Sequence, residues 1–89
     1  MTKTDLKKHQ LLALWAASCA ERVLPVFEKN NADDSPRKAI EAARAWVRGE
    51  LKISEARKFA FAAHAAARNA DSAEATAAAR AAGHAAATA

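Results

Sequence analysis

Asp33-Asp34-Ser35-Pro36-Arg37-Lys38-Ala39-Ile40-Glu41-Ala42-Ala43-Arg44-Ala45-Trp46-Val47-Arg48-Gly49 holds a start signal, a stop signal and both faces of a helix in one stretch. Ser35 is placed to accept a first-turn N–H, and Pro36 suits the first helical position, where no N–H is needed. Asp33 and Asp34 complement the positive end of the helix dipole. Gly49 ends the helix. Ile40, Ala43, Trp46 and Val47 form an apolar side, while Arg37, Glu41, Arg44 and Arg48 recur at i, i+4, i+7 and i+11 on another. The apolar side is expected to pack and the charged side to face outward.

Reading outward toward the N-terminus, Leu12, Trp15, Ala16, Cys19, Val23, Val26 and Phe27 follow helical spacing from Leu6 to about Asn30. Pro25 lies inside this helix and is expected to kink it, because it removes a backbone hydrogen bond and crowds the carbonyl of Glu21. The segment 30–34 reads as a polar loop. After Gly49, Ser54 is the expected cap of a third helix that ends at Asn69 or Ala70. Asp71, with Glu74 three residues on, is the expected start of a fourth helix running to the end of the chain. That last helix is almost all Ala and lacks a polar outer face, so it is expected to need a partner surface, such as a second copy of the chain. The fold class is all-α: one domain over 1–89, a small bundle of about four helices with short loops.

The 89 residues bury only about 60% of the surface of the extended chain. With three Phe, two Trp and no Tyr, large anchors are scarce. Trp15, Trp46 and Cys19 are therefore assigned to the core. A net charge of +4, spread along the chain, does not make a dedicated nucleic-acid arm. The lone cysteine fits a reducing compartment. The start of the chain imitates a signal peptide but continues in helical register without a clear cleavage site, and no apolar run reaches a membrane span, so a cytoplasmic protein is expected.

Catalysis finds no support. There is no Gly-x-Ser-x-Gly, no phosphate-cradling loop and no Glu-x-x-His pair, and neither metal nor cofactor is expected. His64 and His84 can meet across the third and fourth helices and, with Arg68, form a possible polar site. Arg37, Glu41, Arg44 and Arg48 are the candidate partner-binding stripe, although Glu41 can also neutralise Arg37 or Arg44 locally.

Leu14-Trp15-Ala16-Ala17-Ser18-Cys19-Ala20-Glu21-Arg22-Val23-Leu24-Pro25-Val26-Phe27 resembles the opening motif of the immunity-protein-like domain of bacterial polymorphic toxin systems. Pro36 to Trp46 is similar to its second motif. Ala62-Ala63-His64-Ala65-Ala66-Ala67-Arg68 and Ala81-Ala82-Gly83-His84-Ala85 are similar to its later Ala-rich motifs. Position 35 is Ser where that family carries a basic residue. Similar proteins continue beyond Ala89 into another His-containing segment, so this chain is expected to be a shortened form or fragment. The resemblance implies neutralisation of a cognate toxin by stoichiometric binding. A nucleic-acid-mimicking inhibitor would be acidic, which disfavours a nuclease as partner for a chain of charge +4. The alternative is a structural bundle that only self-associates.

Overall fold

The computed structural model describes residues 2–89 and contains four helices: α1 (Lys3–Glu28), α2 (Ser35–Val47), α3 (Ile53–Arg68) and α4 (Ala73–Ala87). At 1.5 Å per residue the 26 residues of α1 span about 39 Å, so this one helix sets the 42 Å long axis of the molecule. α4 packs against all three other helices. α2 also touches α1 and α3, whereas α1 and α3 do not meet among the described residues. The pair α2 and α4 is thus sandwiched between α1 on one side and α3 on the other.

Local signals account for the helix ends. Thr2 caps α1, its Oγ1 accepting the Asp5 N–H at 3.1 Å. α2 begins differently from expectation. Ser35 is inside the helix and caps nothing; Asp33 instead accepts the Ser35 N–H through Oδ1 at 2.9 Å, because an Asp two residues ahead reaches the first free donor. The end of α2 is as read: Gly49 has φ +78, its N–H bonds to Trp46 O, and the Glu50 N–H bonds back to Ala45 O, the double closure that glycine permits. α3 starts at Ile53, one residue before the expected cap Ser54, with the Glu55 carboxylate accepting the Lys52 N–H. Asn69 closes α3, and Ser72 rather than Asp71 caps α4, its Oγ accepting the Ala75 N–H at 3.0 Å. α1 runs on through Pro25 to Glu28 without a break.

The core corrects the sequence reading. The buried seam of α1 is Ala13, Ala17, Ala20, Leu24 and Phe27, not the Leu12–Trp15–Cys19–Val23–Val26 stripe; of the expected apolar set only Phe27 is fully buried. Trp15 is 68% exposed and Cys19 is also exposed. Trp46 is half-buried, its ring tilted against His9 at 4.8 Å between centroids. The physical reason is spacing between backbones. α4 presents Ala75, Ala78, Ala79, Ala82, Gly83, Ala85 and Ala86 to its neighbours, all buried. A helix that meets such a surface gains most dispersion contact by presenting Ala in turn, and a seam of large side chains would hold the backbones apart.

α4 consequently has its partner surface within the chain. Ala78 and Ala82, the positions expected to face a second copy, are 2% and 0% exposed. Self-association through the last helix loses its basis, because that face is already covered by α1, α2 and α3.

Long-range polar contacts tie the ends of the bundle. His9 Nε2 is hydrogen-bonded to the Thr88 carbonyl, joining the start of α1 to the end of α4. At the opposite end, the Asn31 amide donates to Phe27 O at 2.9 Å and to Asp71 Oδ1 at 3.1 Å, linking the α1–α2 and α3–α4 loops. Thr76 Oγ1 donates to Ala67 O at 3.2 Å, fixing α4 on α3.

Candidate partner-binding site

The charged stripe of α2 divides into two parts. Arg37 reaches Glu28 through Nε at 2.8 Å and Nη2 at 2.5 Å, and Arg44 reaches Glu21 through Nη1 at 2.8 Å and Nη2 at 3.2 Å. Both are two-pronged pairs between planar groups, and both join α2 to α1. The hydrogen bonds from the guanidinium groups, with their charge, hold the Glu21 and Glu28 carboxyls below the usual range and raise the two arginines further. The sequence reading matched Arg37 and Arg44 with Glu41 on their own helix. The observed partners sit on α1, where the Glu21/Glu28 spacing of seven residues matches that of Arg37/Arg44.

The other part of the stripe remains open. Glu41 and Arg48, with Lys38, edge a groove of about 450 Å³ between α2 and the start of α3. Ala42 and Ala45 of α2, Leu51 of the connecting turn and Phe59 of α3 form its walls. Arg48 Nε is bonded to Glu50 at 2.9 Å, and Lys38 lies 3.4 Å from Asp34, both exposed pairs. Glu41 forms no ion pair among the described residues. Apolar walls with charged rims suit a protruding side chain of another protein. Sequence reading missed Lys38, Leu51 and Phe59 as members of this surface. Only the return of the chain after Gly49 brings Leu51 and Phe59 against α2.

His64 and His84 do come together, with ring centroids 5.0 Å apart in an edge-to-face arrangement. Gly83 makes this possible: a Cβ there would stand 2.6 to 2.9 Å from three atoms of the His64 ring. Burial lowers the His64 pKa, and the charges of His84, Arg80 and Arg68 lower it further, favouring the neutral ring. Arg80, on α4, is the member of this cluster that sequence reading omitted. Among the described residues no three of His, Cys, Asp and Glu gather as metal ligands, and no helix is long and apolar enough to cross a membrane.

No curated protein and no solved structure matches the chain. A protein-family model matches residues 2–89, the whole described length. The chain belongs to the Imm-5 like putative immunity protein family.

Proposed function

We propose that this protein neutralises a cognate bacterial toxin by stoichiometric binding, and that the groove between α2 and α3 is the surface that receives it. Membership of an immunity-protein family supports a binding role. The observation that carries the choice of surface is the groove itself: apolar walls of Ala42, Ala45, Leu51 and Phe59 are edged by Lys38, Glu41 and Arg48. A buried anchor surrounded by charge is the usual anatomy of an interface hot spot. Arg37 and Arg44 act indirectly, by pinning α2 to α1 and so presenting the opposite flank of α2 in a fixed orientation. Cationic rims also raise the rate of encounter with an acidic surface, and this contribution is screened by salt over about 8 Å at physiological ionic strength.

The test is protection of cells expressing the product of the gene beside this one as the candidate toxin, with calorimetry on the purified pair. Wild type is expected to protect and to bind at one chain per toxin. The double variant Lys38→Glu/Arg48→Glu is expected to bind at least tenfold more weakly while keeping its helical signal and melting temperature. Phe59→Asp, at the groove wall, is expected to abolish protection. Full protection by both folded variants would move the interface elsewhere, and a wild type that does not bind the toxin would refute neutralisation by binding.

A further inference from the structure

α1 carries a second seam. Leu12, Trp15, Cys19, Val23 and Val26 recur at steps of three and four residues, about 120° around the helix from the buried Ala13–Phe27 seam. All five are exposed, and Leu11, 56% exposed, widens the N-terminal half. These side chains leave about 500 Å² of largely apolar surface on each chain, the size of the largest and often functional patch on a monomer. Pairing two such surfaces removes about 1,000 Å² from water, the threshold for a specific interface.

The identity of the occupant follows from the spacing. The seam reads the same in both directions: Cys19 is its midpoint, Trp15 and Val23 stand four residues to either side, and Leu12 and Val26 stand seven. A two-fold axis through the Cys19 layer therefore sets Trp15 of each copy against Val23 of the other, and Leu12 against Val26, so the patch is complementary to itself.

We propose that this seam is the face of an antiparallel homodimer with its two-fold axis at Cys19. The assignment does not depend on toxin binding. The groove lies between α2 and α3, and α3 does not touch α1, so both surfaces can be occupied together.

Sedimentation equilibrium of the full chain under reducing conditions tests this, together with a short bis-maleimide that joins two thiols by addition and needs no oxidant. Wild type is expected to pass from monomer to dimer as concentration rises. Trp15→Glu and Val23→Glu, both at exposed positions, are expected to weaken that association at least tenfold with unchanged circular dichroism. Direction is read by combining Leu12→Cys/Cys19→Ser with Val26→Cys/Cys19→Ser: crosslinks are expected between the two variants and not within either one. A wild-type monomer at millimolar concentration, a dimer indifferent to Trp15→Glu, or a Leu12→Cys variant that crosslinks to itself would overturn the proposal. So would a monomeric wild type whose toxin affinity falls with Trp15→Glu, which would assign the seam to the toxin instead.

Discussion

α1 and α4 use apolar residues in opposite ways. α4 has no side chain larger than Ala on its buried face, yet it touches every other helix and sits at the centre of the packing. α1 holds most of the large hydrophobic residues in the chain, yet it turns Leu11, Leu12, Trp15, Val23 and Val26 outward and packs through Ala13, Ala17 and Ala20. Burial here is decided by how closely backbones must approach, not by the hydrophobicity of single residues. Small residues occupy the crowded centre, and large ones are left at the periphery except where the bundle has room. Leu24, Phe27 and Ile40 fill that room.

The contrast is broken most severely by removing a large side chain from the inner seam. Phe27, 1% exposed and packed on Ala66, Ala75 and Ala79, is the largest fully buried residue. Phe27→Ala is expected to cost about 3 to 5 kcal/mol, much of the stability of so small a domain, and chemical denaturation would measure it. The converse change comes next. Ala82 is 0% exposed beside Ala17, Ala20 and Ile40, so Ala82→Leu forces helices apart and is expected to cost about 1 to 3 kcal/mol despite adding hydrophobic surface.

Gly83 sharpens the same point at one atom. Gly83→Ala gains about 1 kcal/mol of helix propensity in isolation, but its Cβ meets the His64 ring. The single variant is expected to be less stable than wild type, and the same change in a His64→Ala background more stable than that background. A double-mutant cycle by thermal melting reads both signs.

His64 also provides a pH dependence. Its folded pKa is depressed, so below about pH 6.5 the unfolded chain takes up the proton more readily than the folded one. Stability is expected to fall as pH drops from 6.5 toward the lowered folded value and to change no further through this group below it. His64→Gln should flatten that part of a stability profile. The Glu21 and Glu28 pairs act in a lower window. Their contribution is complete above the ordinary Glu range and is lost as pH falls through the depressed folded values.

The smallest effect is expected at the most conspicuous residue of α1. Trp15→Ala should change stability by less than about 0.5 kcal/mol, measured at protein concentrations low enough to keep the chain monomeric. A loss comparable to that of Phe27→Ala would show that the outer seam is part of the folding core, and the comparison between α1 and α4 would fail.

The sequence by itself determined the helices and placed their ends to within about a turn. Pro36, Gly49 and Asn69 act on neighbours within a few residues, so helix content, the short loops and the all-α class were legible along the chain, while the N-caps fell on residues other than Ser35, Ser54 and Asp71. Membership of the family was legible from the sequence as well. The tertiary structure decided which of two helical seams on α1 is buried. Ala13–Ala17–Ala20 and Leu12–Trp15–Cys19 have the same periodicity, and only the closeness of α4 separates them. It also decided the partners of Arg37 and Arg44, the approach of Phe59 to the groove, and the role of Gly83 beneath His64. Each of these depends on a distance between helices, which the pattern within any one helix does not contain.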